Sequence, residues 1–149
     1  MGEAISRYVF VDSNVLINDF FYRNGKLAHP KHATNAISFL RAKPNIRLFC
    51  ASFSLIQFVS TLDKAKISNE VIADELNRIL GRFTLVDLTA KDFQKALSIP
   101  NKDTEGAVQY TLCRKARCLY IITDNVKDFR IFRLVETIKP KDVEGKLFL

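Results

Sequence analysis

Apolar and polar positions along this chain switch between two periods. Residues 7–12, "RYVFVD", form a nearly unbroken run of aromatic and β-branched types, which predicts a buried strand. The run stops on Asp12. Residues 14–23 then read as a short helix, followed by a loop, "NGKLAHPK", that contains Gly and Pro. Ala33, Ala36, Ile37 and Leu40 recur at helical spacing until Pro44 closes the stretch. "IRLFCAS" predicts a second buried strand, and a helix from Phe53 turns Leu55, Ile56, Val59 and Leu62 inward. Ser68 caps the next helix, whose inner stripe is Ile72, Leu76, Ile79 and Leu80 and whose stop is Gly81.

"RFTLVDL" predicts a third strand. Thr89 and Asp92 make a capping-box-like start to a helix that packs Phe93, Ala96 and Leu97 before Pro100 ends it. Asp103 or Thr104 caps a longer helix that reaches Arg117. "CLYIIT" predicts a fourth strand, and "VETIK" a last one before Pro140. Strands alternating with helices predict an α/β fold with a mostly parallel sheet covered on both faces. Residues 1–149 read as a single domain without repeats, low-complexity tracts or long linkers.

In such sheets, ligand sites gather where strands end at their carboxyl edge. That places Asp12 and the stretch "TDNVKDF", after the fourth strand, in view. If the first and fourth strands are neighbours, Asp12, Asp124, Asn125 and Asp128 share one edge. Asp103 and Glu105 reach it from the start of the longer helix. Asp and Asn are also routine cap and turn residues, which suits Asp124 and Asn125 taken singly. Asp12, pressed against a buried strand, points instead to function. Clustered carboxylates need a cation, and oxygen ligands without thiolates or imidazoles select Mg²⁺ or Mn²⁺. Such ions activate water in phosphodiester cleavage.

Composition excludes more than it assigns. The chain is 48% hydrophobic and 26% charged, as folded proteins are. No apolar run approaches the roughly 18–20 residues of a membrane helix. "MGEAISRY" lacks the layout of a secretory signal, and its match to an N-acylation pattern through Gly2 and Ser6 is better read as chance or an expression scar. Cys50, Cys113 and Cys118 are odd in number and lack C-x-x-C spacing, so they read as small buried residues, with a reducing cytoplasm as the expected setting. His29 and His32 read as surface-loop residues. No Ser/His/Asp arrangement and no glycine-rich phosphate loop stands out. The net charge of +7 adds something. Residues 1–50 hold seven Lys/Arg against three acids, and residues 101–149 ten against seven. Both stretches carry the candidate site, and the basic balance favours a polyanion such as RNA or DNA.

"VFVDSNVLINDFFYR", followed by "NKDTEGAVQYTLCRKARCLYIITDNVKDF", resembles the PIN-domain family, including VapC-type toxin ribonucleases, in order over nearly the whole chain. The resemblance implies a three-layer α/β/α sandwich whose acidic side chains hold one or two Mg²⁺ or Mn²⁺ ions for RNA hydrolysis. Asp12 matches the family's first acid. Asn125 and Asp128 match the polar pair after the fourth strand, and Asp103 and Glu105 match the first acid and the Glu of the family's acidic stretch. Basic residues such as Arg114, Lys115, Lys127 and Arg130 would then grip phosphates. A small antitoxin protein and a homodimer are further partners the resemblance implies, with no membrane.

Two positions depart from the family pattern. Gly106 stands where an Asp is usual, and Gln57 where a Glu is usual. Fewer charges offset dehydration of the ion, so metal affinity is expected to fall. Glu105 points about 100° from its neighbour and cannot substitute, whereas Asp103, three residues before Gly106, lies nearer in direction. Gln57 is either a solvent-facing helix residue or one turned to the sheet edge. Two functions are therefore expected. One is a Mg²⁺- or Mn²⁺-dependent endoribonuclease in which Asp12 and Asp128, helped by Asp103, Glu105 and Asn125, hold the ion. The other is a degenerate PIN domain that binds RNA or a protein without cutting.

Overall fold

Alternate residues of the first strand, β1 (Arg7–Val11), face opposite cores in the computed structural model, which describes residues 7–26, 31–100, 103–129 and 132–147. Val9 and Val11 join Leu48 and Cys50 of β2 (Ile46–Ala51) on one side, and Phe10 joins Phe49 and Ala51 on the other. With both faces buried, these strands have no need of polar alternation. Three shorter strands, β3 (Thr84–Val86), β4 (Tyr120–Ile122) and β5 (Glu136–Ile138), complete a wholly parallel sheet ordered β3-β2-β1-β4-β5.

Helices cover both faces. α1 (Ser13–Arg23), α2 (His32–Arg41), α3 (Ser52–Lys64), α4 (Asn69–Leu80) and α8 (Val143–Lys146) pack the first core through residues such as Phe20, Leu40, Phe58, Leu62, Ile79 and Val143. α5 (Ala90–Leu97), α6 (Thr104–Lys115) and α7 (Val126–Phe129) cover the second through Ala96, Leu112 and Phe129. The architecture is the expected α/β/α sandwich. Among the described residues, no helix is long and apolar enough to cross a membrane. The cysteines are buried and free, and burial pushes the Cys50 thiol up to about 12.

Four side chains expected to pack inward face outward instead: Ile56, Leu80, Phe93 and Leu97. On α3 the buried line runs Ser54, Phe58, Leu62, which rotates Ile56 away from the sheet. On α5 the capping box is real, with Thr89 and Asp92 bonded reciprocally, but Asp92 itself takes the inner face. Ala96 follows it at i+4, so Phe93 and Leu97 turn outward together. Ile79 holds the inner position at the end of α4, and Leu80 lies one step past it.

α3 and α6 terminate alike. Lys66 (φ 60) and Arg117 (φ 62) occupy the left-handed position where glycine is usual. The next residue closes each end, Ile67 N–H donating to Leu62 O at 3.1 Å and Cys118 N–H to Cys113 O at 2.9 Å. Phe10 is fully buried at the centre of the second core. Phe10→Ala is expected to destabilise the fold by about 3–5 kcal/mol, read as a lower denaturation midpoint at unchanged slope.

Candidate functional site at the sheet switch point

β1 and β4 are neighbours, and their register pairs Val11 with Ile122, so both strands end together at the carboxyl edge. The winding of the chain reverses here, between β1 and β4, where open parallel sheets place their ligands. Asp12 leaves β1 in an extended conformation and caps α1, with its side chain 4% exposed. A carboxylate can leave water only when protein donors replace its hydration. Four do so here. Oδ1 accepts from the Ser13 N–H at 2.7 Å and from Gln109 Nε2 at 2.8 Å, while Oδ2 accepts from Thr123 Oγ1 at 2.7 Å and Asn14 Nδ2 at 3.1 Å.

Gln57 is half-buried and turned to the sheet edge. Its Oε1 accepts from Ser13 Oγ at 2.9 Å, and its Nε2 donates to Glu105 Oε1 at 2.8 Å. Glu105 is thus tied to α3 through an amide. A Cβ placed on Gly106 would fall 2.8 Å from Asp103 Oδ2. The Asp103 carboxylate therefore occupies space that a side chain at position 106 would enter.

The other predicted residues are less convergent. Asn125 is exposed, and its N–H donates to Thr123 Oγ1 at 3.1 Å. Asp124 accepts from Asn18 Nδ2 at 3.0 Å, and its own N–H donates to Asn14 Oδ1 at 3.3 Å, a turn role. Asp128 belongs to α7 by its backbone, but its side chain lies outside the described residues, as do Arg130 and His29. Lys127 is exposed on α7. Arg114 and Lys115 line a groove of about 500 Å³ between α5 and α6, together with Lys95 and Tyr110. Lys115 Nζ is committed there, donating to Asp92 Oδ2 and to Asp87 O, both at 2.8 Å.

Sequence reasoning missed the residues that hold Asp12: Ser13, Asn14, Gln109 and Thr123. Gln109 is 3% exposed and Thr123 fully buried. Polar side chains inside otherwise apolar segments were the available signal, because a buried polar group needs a partner. Gln109 Oε1 is buried without one.

A hard divalent ion needs several anionic oxygens turned to one point. Among the described residues, no three His, Cys, Asp or Glu side chains gather in that way. Both Asp12 oxygens meet N–H or O–H groups, and an amide N–H faces Glu105. Among the described side chains, which do not include that of Asp128, the arrangement lacks the converging anionic oxygens that Mg²⁺ or Mn²⁺ would need.

No protein-family model matches the sequence, and no curated protein matches it. Solved structures are similar over most of the chain. A chain of VapBC2 from Rickettsia felis, bound to a DNA fragment from their promoter, shares 15% identity and covers 89% of this chain and 98% of its own, with a TM-score of 0.63. A toxin–antitoxin complex from Klebsiella pneumoniae gives 16% identity, 89% and 97% coverage and a TM-score of 0.63. The Sarcin-Ricin loop cleaving toxin VapC20 from Mycobacterium tuberculosis gives 13%, 76% and 86%, and 0.56.

The chain has the PIN-like fold. Within this PIN-like frame, Asp12 reaches the expected edge, Asp103 covers Gly106, and Glu105 is reached only through Gln57.

Two outcomes follow from these contacts. Thr123→Val leaves Asp12 Oδ2 one donor short and is expected to cost about 1–3 kcal/mol in urea unfolding. Lys115, with the Thr89 backbone, holds the Asp92 carboxyl down from 3.8 to about 2. A folded value below the unfolded one stabilises above roughly pH 4, and that gain is lost as pH falls towards 2. Thermal unfolding of Asp92→Asn across this window is expected to show a shallower acid decline than the unaltered protein.

Proposed function

We propose that this chain is a toxin-type PIN-fold protein directed at RNA, which it engages along the carboxyl edge and α6. The likeness to solved toxin–antitoxin structures supports the class, one of those relatives being a toxin that cleaves the Sarcin-Ricin loop. The basic balance of the chain supports a polyanionic target. α6 carries Glu105 in its first turn and Arg114 and Lys115 in its last, so a strand laid along it would meet both the edge and the groove. Lys127, on α7, adds a cation after β4. A small antitoxin protein is the partner that goes with this class, and the cytoplasm its setting.

Endoribonuclease activity with Mg²⁺ or Mn²⁺ would need Asp12, Asp103, Glu105, Asn125 and Asp128 to present oxygens to a common point. One observation favours binding without cutting instead. Gln57 bridges Ser13 and Glu105 while, among the described residues, Asp12 meets hydrogen-bond donors on both oxygens. A carboxylate already engaged in this way, with Gln57 and Gly106 each lacking an acid, attracts a divalent ion weakly.

The deciding measurement incubates a mixed RNA pool with Mn²⁺ and the protein, Asp12→Asn, or the double substitution Gln57→Glu/Gly106→Asp. The unaltered protein is expected to retain RNA with a steep salt dependence and to yield no Mn²⁺-dependent fragments. The double substitution, with Asp103 moved aside, is expected to gain Mn²⁺ affinity by calorimetry. Mn²⁺-dependent cleavage that Asp12→Asn abolishes would overturn the non-cutting role and establish the nuclease. Neither retention nor cleavage would remove RNA as the target.

A further inference from the structure

A second concentration of charge lies at the opposite end of the sheet. Because every strand runs the same way, each segment that leads into a strand arrives at the amino edge. α1 departs from Asp12 at the carboxyl edge and ends at Arg23, about 16 Å away along its axis. Arg41 ends α2 shortly before β2, Arg82 stands just before β3, and Arg78 is in the last turn of α4.

Two acids fix part of this cluster. Arg23 reaches Glu75 through Nη1 at 3.0 Å and Nη2 at 2.8 Å, and Asp19 through Nε at 3.1 Å. Arg78 Nη1 lies 3.5 Å from Asp19, which is itself buried. Burial works against the charge on Arg23, but its bonds to Glu75 and Asp19 outweigh it and raise its affinity for the proton. Arg41 is exposed, and neither it nor Arg82 forms an ion pair among the described residues. Arg82 is half-buried and its affinity for the proton is lowered, first by burial and then by Arg78, Arg41 and Arg23 around it, with Asp19 offsetting part of the effect. Four guanidiniums thus gather near two carboxylates at this end of the sheet, and two of them, Arg41 and Arg82, form no ion pair among the described residues.

We propose that Arg41, Arg78 and Arg82, beside the ion-paired Arg23, form a phosphate-binding patch at the amino edge that holds a nucleic-acid backbone. Guanidinium forks match phosphate oxygens in pairs; Arg23 spends its own on Glu75 and Asp19, which leaves the forks of Arg41 and Arg82 to meet the backbone. Several such groups on one surface suit a repeating anion, each phosphate bound releasing counterions. The patch is separate from the carboxyl-edge site and does not depend on whether that site cuts, binds or ignores RNA. RNA and DNA offer the same phosphate chemistry, so the choice between them belongs to the measurement.

Anisotropy titrations of the full chain across salt concentrations would use single-stranded RNA, duplex RNA and duplex DNA, each long enough to span both edges. Arg41→Gln/Arg82→Gln is compared with Arg114→Gln/Lys127→Gln, and thermal unfolding verifies that both pairs fold. Arg41→Glu alone, at an exposed position, serves if the first pair does not fold. The amino-edge pair is expected to weaken binding about tenfold and to reduce the salt slope on a single strand by about 0.7 for each phosphate it no longer neutralises. The nucleic acid that suffers the largest loss is the one the patch takes. Unchanged affinity and slope on all three probes would overturn the patch. A loss confined to Arg114→Gln/Lys127→Gln would overturn it too, while leaving RNA engagement along α6 intact. So would acidic lipid vesicles outcompeting every nucleic acid.

Discussion

The hydrogen bonds to Asp12 are the constraint around which the rest of the site is arranged. One carboxylate at the end of the central strand gathers donors from the start of α1, the inner face of α6 and the residue after β4. Each of those elements is positioned by its own core contacts, yet the carboxylate sets how closely they meet. Ser13 extends the arrangement outward, since its hydroxyl engages Gln57, and Gln57 in turn engages Glu105. Neutral amides and hydroxyls do what cations would do in a more acidic site.

Two residues that carry no acid, Gln57 and Gly106, take part in this arrangement. A glutamine at position 57 can accept from one neighbour and donate to the next, which a carboxylate cannot. Glycine at 106 leaves room for the Asp103 carboxylate. Gln57 thus serves as a neutral bridge, while the space beside Gly106 is taken by an acid from three residues before it.

Much of the fold was legible in the sequence because its cause is local. Near-continuous apolar runs mark strands buried on both faces, and the parallel order follows from alternation with helices. The helix faces were harder. Ile56 and Leu97 fit an apolar stripe as well as their neighbours do, but tertiary packing chose Phe58 and Ala96. The left-handed turns that close α3 and α6 carried no sequence signal, since Lys66 and Arg117 take a conformation that such signals associate with glycine. At the site, Asp12 was visible as a carboxylate where a strand stops. Gln109 and Thr123 were not, because a polar residue within an apolar segment does not reveal which distant group it will meet. The charge distribution was misleading in one respect. The basic termini suggested cations around the acidic site, whereas the parallel topology delivers Arg23 and Arg41 to the far edge.

The short outer strands carry a consequence for the protein's behaviour at high concentration. β3 and β5 are each three residues long and lie at the two margins of the sheet. A margin that short offers few unpaired backbone groups to another chain, and Glu136 adds an exposed charge where β5 begins. Their brevity therefore disfavours aggregation by edge-to-edge strand addition at both sides.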